Sequence, residues 1–131
     1  MPKRTAVSHV TINVSDMEVS RKFYGKVLGE LGFVESRATR KSIGYTNGSM
    51  GVWLHPAKGS KPSREWAGVD HIAFGASSKK SVDRMQKLLD EEGYDTLYRA
   101  AAHPEFHKDY YSVSFKDPDG NVLELVYPQG L

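Results

Sequence analysis

Two histidines and one glutamate occupy positions in predicted β-strands from which they could bind a metal ion. His9 and His71 each lie in a short alternating segment, 7–14 and 69–74, and Glu124 lies in an apolar segment near the end of the chain. A carboxylate with valines on its own strand face needs a partner, because burying an isolated charge is costly. Two imidazoles and one carboxylate form a facial set for a divalent metal, with positions left open for substrate or water.

An internal repeat supports this interpretation of the histidines. A single strand histidine is more often a hydrogen-bonded surface or core residue than a metal ligand. Here, however, each half of the chain carries a histidine in its first strand, and each half is predicted to contain a strand, a helix and three further strands. The repeated position therefore favours metal binding at His9 and His71.

In the first repeat, about residues 7–56, a helix follows the histidine strand. Ser15 to Glu18 resembles a capping box, and the helix is expected to end near Gly29. Strands are predicted at 42–47 and 50–55 around an Asn-Gly turn. The apolar stripe of the helix is predicted to comprise Val19, Phe23, Tyr24, Val27 and Leu28.

The second repeat, about residues 69–128, has the same order of elements. Ser77 or Ser78 is expected to cap a helix that ends before Gly93, with a short strand at 96–100. A loop at 101–108 precedes a hairpin whose turn is Asp117-Pro118-Asp119-Gly120. The predicted apolar stripe of this helix is Val82, Met85, Leu88 and Leu89.

The fold class that follows is α+β. Two βαβββ repeats, joined by a linker at about 57–68, are expected to form one domain over residues 1–131. The sheets would make a half-open cup, with the helices outside and with His9, His71 and Glu124 facing inward.

Composition excludes several classes of function. The chain has 131 residues, a formal net charge of +2 and no cysteines. Its basic residues are scattered, so nucleic-acid binding is not expected, and no apolar run is long enough to cross a membrane. The N-terminal segment lacks the apolar stretch of a signal peptide, and the absence of cysteine is compatible with a reducing cytoplasm.

Several of these motifs together resemble the vicinal oxygen chelate superfamily, which includes glyoxalase I, fosfomycin-resistance proteins, methylmalonyl-CoA epimerase and extradiol dioxygenases. The resemblance covers about residues 7–128. It rests on Ser8-His9-Val10-Thr11, Phe23-Tyr24, Asp70-His71-Ile72-Ala73-Phe74 and the Asp-Pro-Asp-Gly turn followed by Glu124. It implies that His9, His71 and Glu124 bind one divalent metal (zinc, nickel, manganese or iron(II)). It also implies a homodimer whose sites take ligands from both subunits.

The chain departs from the subfamilies at two positions. Glyoxalase I and the epimerase carry a fourth ligand, Glu or Gln, where Trp53 stands here. His55, one pleat further along the same strand face, is the nearest group that could replace that ligand. Fosfomycin-resistance proteins and dioxygenases carry a tyrosine at or near the position of Ser114. That difference counts against both activities.

Other residues are expected to line the cavity because they share a strand face with the predicted ligands. Trp53 would form an apolar wall, and His55 and Tyr110 are candidates for the general base. His103 and His107, on the loop before the hairpin, are expected to be solvated. The predicted substrate-binding residues are Thr11, Asn13, Trp53, Ser112 and Ser114.

The function predicted from sequence is that of a metal-dependent, glyoxalase-like lyase, isomerase or transferase. Its small-molecule substrate would chelate the metal through two neighbouring oxygens, but the chain is not expected to be glyoxalase I proper. One alternative is a drug-binding resistance protein of the bleomycin type, which generally lacks the metal ligands. Another is a ring-cleaving dioxygenase.

Overall fold

The computed structural model describes residues 5–59 and 67–130. The chain divides into two compact units at Gly59. Residues 60–66 of the predicted linker lie outside the described residues. Within the described ranges, no helix combines the length and the apolar character needed to cross a membrane.

The first unit is one open four-stranded sheet with one helix. Its elements are β1 (His9–Val14), α1 (Met17–Glu30), β2 (Val34–Ala38), β3 (Ile43–Thr46) and β4 (Gly51–Pro56). The strand order is β1-β4-β3-β2, with β1 and β4 parallel and the other neighbours antiparallel. The crossover through α1 explains the parallel pair, since parallel neighbours need a long connection.

The second unit repeats this topology. Its elements are β5 (His71–Gly75), α2 (Lys79–Glu92), β6 (Thr96–Ala102), β7 (Tyr111–Lys116) and β8 (Val122–Tyr127). The strand order is β5-β8-β7-β6, again with the outer histidine strand parallel to its neighbour. The prediction of an α+β fold with two βαβββ repeats is therefore confirmed.

Helix α1 begins one residue later than a Ser15 cap would place it. The Asp16 carboxylate accepts hydrogen bonds from the backbone N–H groups of Glu18 (3.0 Å) and Val19 (3.1 Å), which stabilises the first turn. The predicted stripe holds except at its first member, because Val19 is 51% exposed and Ser20 is buried instead. The other four members of the stripe, from Phe23 to Leu28, are buried.

Helix α2 is fixed at both ends by the predicted residues. The Ser78 hydroxyl accepts from the N–H of Ser81, and Gly93 closes the helix in the left-handed conformation with φ 70°. Gln86 is buried, although the predicted apolar stripe did not include it because it is polar. Its amide donates to Thr96 Oγ1 (3.2 Å) and accepts from the N–H of Ala100 (2.9 Å), which ties α2 to β6.

The turn between β7 and β8 is built around the buried carboxylate of Asp117. This carboxylate accepts from the N–H groups of Asp119 (2.9 Å) and Asn121 (2.8 Å) and from the Asn121 side-chain amide (2.8 Å). Gly120 adopts φ 89°, a conformation that glycine accepts at little steric cost. The turn fixes the strand register in which Ser114 pairs with Glu124.

Candidate metal and substrate site

A cavity of about 430 Å³ opens on the second unit. Its volume lies in the range of small-molecule sites. All five site residues predicted from this half of the sequence line it, although they come from three strands and a loop end. They are His71, Tyr110, Ser112, Ser114 and Glu124.

His71 and Glu124 form the polar centre of this cavity. Parallel pairing of β5 with β8 places Glu124 beside Ala73 and brings His71 to the same sheet face. His71 Nε2 lies 3.1 Å from Glu124 Oε1, and His71 Nδ1 lies 2.7 Å from Asp70 Oδ1. The Asp70 carboxylate contacts Nδ1, the second ring nitrogen, and so fixes the orientation of the imidazole. Histidines that bind metals are oriented in the same way.

Tyr110 restrains the other carboxylate oxygen. Its hydroxyl donates to Glu124 Oε2 at 2.6 Å. Burial, together with this hydrogen bond, raises the pKa of Tyr110 to about 12, so the phenol is protonated at neutral pH. In this arrangement Tyr110 is a hydrogen-bond donor to Glu124, and its predicted role as a base stays a prediction.

The donor set of the second unit fits part of a divalent-metal site. An imidazole nitrogen and a carboxylate oxygen converge, and each has the outer partner that metal ligands usually have. Across residues 5–59 and 67–130, no three His, Asp or Glu side chains cluster closely enough to hold a metal ion. Of the three predicted ligands, His71 and Glu124 lie together in the second unit.

The five site residues predicted from the first half lie on one sheet face of the first unit. The register pairs His9 with Gly51, Thr11 with Trp53, and Asn13 with His55. His9, Thr11, Asn13 and His55 are exposed on this face, and Trp53 is half-buried. The alternation predicted for these strands is therefore observed, and the role of each residue stays a prediction.

Trp53 lies flat against β3 because Gly44 has no side chain. A Cβ atom at Gly44 would lie 2.6 to 2.8 Å from three carbons of the indole ring. The indole nitrogen lies near Gly51 on its own strand. The ring therefore covers the sheet face beside Gly44, and the match of Trp53 to the fourth ligand of glyoxalase I stays a prediction.

Gly44→Ala is expected to lower the free energy of unfolding by about 1–3 kcal/mol, because the new methyl group overlaps the Trp53 ring. Gly25→Ala is the matched control. Gly25 is exposed within α1 with no atom near its Cβ position, and alanine there should stabilise by up to about 1 kcal/mol. Urea denaturation of both variants measures the difference, and equal midpoints for wild type and Gly44→Ala would contradict the contact.

The sequence pattern missed part of the cavity wall. His103 and Glu105 line the cavity, with His103 Nδ1 3.4 Å from Glu105 Oε2. Leu97, Tyr98 and Phe106 line it as well. His103, which was expected to be solvated, is partly exposed: its side chain is 27% exposed, and its ring packs beside Phe106 and Tyr110. Only its aromatic neighbours in the sequence signalled such packing.

Comparison with known proteins agrees with the fold and identifies the family. The sequence profile of the Glyoxalase/Bleomycin resistance protein/Dioxygenase superfamily matches residues 6–125. An uncharacterized protein of Bacillus subtilis is 37% identical over 92% of this chain and 97% of its own length. The metallothiol transferase FosB of Staphylococcus epidermidis is 30% identical over 92% of this chain and 80% of its own.

Solved structures share the same architecture. A candidate glyoxalase from Bacillus halodurans superposes with a TM-score of 0.79 and 28% identity, covering 92% of this chain and 93% of its own. A glyoxalase/bleomycin resistance protein from Albidiferax ferrireducens gives a TM-score of 0.75 at 24% identity, covering 91% and 95%. The second likeness concerns the fold alone. On the profile match and the relatives together, this chain belongs to the Glyoxalase/Bleomycin resistance protein/Dioxygenase superfamily.

Proposed function

We propose that the protein is a metal-dependent, glyoxalase-like enzyme acting on a small molecule that presents two neighbouring oxygens. The observation that carries this proposal is the His71–Glu124 pair, 3.1 Å apart in the cavity wall. Asp70 and Tyr110 each hold one member of the pair by a short contact. Such outer partners are typical of metal ligands, and a bare His–Glu ion pair does not require them.

The residues of the chain have distinct roles in this proposal. Asp70 keeps a proton on His71 Nδ1, so that Nε2 presents its lone pair to the metal. Tyr110 donates to Glu124 Oε2 and leaves Oε1 for the metal. When bound, the metal supplies Lewis-acid stabilisation of charge that develops on a substrate oxygen. The hydroxyls of Ser112 and Ser114, on the same cavity face, orient the substrate.

The first unit contributes the third ligand in this proposal. His9 lies on the exposed sheet face with Thr11 and Asn13, which bind the substrate together with Trp53. His55, on this face of the first unit, is the proposed base. Tyr110, in the cavity of the second unit, already donates its hydroxyl proton in a hydrogen bond to Glu124. Iron(II), manganese, nickel and zinc all accept such a mixed imidazole and carboxylate set.

A homodimer is part of the same proposal, with His9 of the partner subunit completing the His71–Glu124 pair. This proposal follows the family resemblance, which implies dimers whose sites take ligands from both subunits. We expect light scattering at micromolar concentration to give twice the mass of a 14.6 kDa chain. A monomer mass in the presence of excess zinc would contradict this expectation.

Metal analysis of the protein as purified, followed by an activity panel, tests the proposed function. The panel comprises 2-oxo aldehydes with a thiol, epoxides with a thiol, and catechols with oxygen. Similarity to a metallothiol transferase supports including thiol transfer. A protein that binds no divalent metal would instead favour a drug-binding protein of the bleomycin-resistance type. Turnover of catechols would favour a ring-cleaving dioxygenase.

A further inference from the structure

The cavity of the second unit has an aromatic side as well as a polar centre. Tyr98 and Phe106 line it, and they are 60% and 68% exposed. Large aromatic side chains that line a cavity yet remain open to solvent are candidates for contact with a ligand, because burying them against an apolar group is favourable. Neither residue belongs to the predicted ligand or substrate set.

The strand register fixes where this aromatic side lies relative to Glu124. Glu124 on β8 pairs with Ser114 on β7, and Ser114 pairs with Tyr98 on β6. The three residues therefore form a row across the sheet. Neighbouring strands are about 4.8 Å apart, so the backbones of Glu124 and Tyr98 are separated by roughly 10 Å. The hydroxyl side chain of Ser114 lies between the carboxylate of Glu124 and the phenol of Tyr98.

The loop before β7 holds Phe106 in place on the same cavity. The N–H of His103 donates to the carbonyl of Tyr110 (2.8 Å), and the N–H of Phe106 donates to the carbonyl of His103 (3.0 Å). The Phe106 ring packs edge-on against Tyr110, with centroids 5.2 Å apart. The Tyr110 hydroxyl in turn donates to Glu124. The aromatic side is thus supported by contacts that reach the polar centre.

We infer that the ligand of this cavity carries an aromatic ring separated by a short spacer from its metal-binding oxygens, with Tyr98 and Phe106 binding the ring. The inference rests on the proposed function for the position of the oxygens, next to His71 and Glu124. It excludes a catechol-like molecule whose ring itself carries the binding oxygens. Such a ring would lie beside Glu124 rather than beside Tyr98.

Hydroxamic acids test the inference, because they present two oxygens on neighbouring atoms and differ only in the attached group. The probes are acetohydroxamate, benzohydroxamate and 3-phenylpropanohydroxamate, titrated calorimetrically into zinc-loaded protein. We expect 3-phenylpropanohydroxamate to bind at least about tenfold more tightly than acetohydroxamate, since a ring is buried as well. Benzohydroxamate carries its ring next to the oxygens, so its affinity should exceed that of acetohydroxamate by a smaller factor.

The variants Phe106→Ala and Tyr98→Ala should each remove most of this gain, and Tyr98→Ala should also leave acetohydroxamate binding unchanged. Unchanged acetohydroxamate binding also shows that the site is still folded. Tyr98→Phe keeps the ring and should behave as wild type. Val34→Ala, at an exposed apolar residue of the first unit, is the second control.

The outcomes separate this inference from the proposed function. The inference is overturned, and the metal proposal stands, if acetohydroxamate binds but the phenylethyl group of 3-phenylpropanohydroxamate adds no affinity. The same holds if it adds affinity that both alanine variants retain. If the protein binds no zinc, the proposed function fails, and the same two probes are compared on metal-free protein. A gain that depends on Phe106 would then support the aromatic subsite, and no gain would overturn it.

Discussion

Glu124→Ala and His71→Ala are each expected to abolish zinc binding at stoichiometric protein concentration. Both residues offer their donor atom to one point, with Nε2 and Oε1 3.1 Å apart. Loss of an outer-shell partner typically lowers metal affinity about 10- to 100-fold, and loss of a direct ligand should exceed that range. Elemental analysis after dialysis, together with competition against a zinc indicator, measures the content and the affinity.

Graded variants make this prediction specific. Tyr110→Phe and Asp70→Ala each remove an outer partner and should lower zinc affinity by about 10- to 100-fold without abolishing binding. Glu105→Ala removes a carboxylate from the same cavity that contacts His103, and should leave the affinity unchanged. Glu124→Gln keeps the shape of the buried side chain and guards against misfolding. Full zinc content in Glu124→Gln and Glu124→Ala would contradict the assignment.

Lactoylglutathione lyase activity is expected to be absent or far below the range of typical enzymes. That reaction moves a proton between adjacent carbons and needs a base held at the metal. The corresponding position carries Trp53, whose ring lies flat on Gly44 and can neither bind a metal nor accept a proton. The protein, loaded in turn with zinc, nickel and manganese, should turn over the methylglyoxal–glutathione adduct at well under about 1 s⁻¹.

Turnover of about 1–10³ s⁻¹ would contradict this expectation. His55→Ala would then identify the replacement, because His55 lies on the same face of β4, two residues beyond Trp53. Loss of activity in that variant, with zinc content unchanged, would assign the base to His55. Val34→Ala, at an exposed residue of the same unit without a proposed role, is the control.

Alternation of apolar and polar residues made most of the fold predictable from the sequence. It located the two histidine strands and the hairpin, and the Gly93 cap ended α2 as expected. The errors arose where a buried polar residue replaced an apolar one. Ser20 rather than Val19 faces the interior of the first unit, and Gln86 is buried because it hydrogen-bonds to β6. Periodicity of hydrophobicity does not register such residues.

The sequence predicted the cavity residues on β5, β7 and β8, and Tyr110 next to β7, but it missed Tyr98 on β6 and the loop residues. Ser112, Ser114 and Glu124 follow from the alternation of β7 and β8, and His71 follows from β5. Phe106 and His103 reach the cavity through backbone hydrogen bonds that close the loop between β6 and β7. The periodicity of apolar residues along the sequence does not predict such backbone hydrogen bonds within a loop. Whether His9 completes the ligand set depends on how chains or units associate, and the local pattern carries no information on that point.

Strand β8 also constrains how this protein can change during evolution. Leu123 and Leu125 are buried toward α2, and Val122, Glu124 and Val126 lie on the opposite face. Inserting or deleting one residue within β8 would exchange the two sets, placing the carboxylate in the core and a leucine in the cavity. Substitutions at Ser114 or Tyr98 leave the core face untouched. Relatives should therefore diverge in substrate by replacement on the cavity face, and length changes should be confined to the loops.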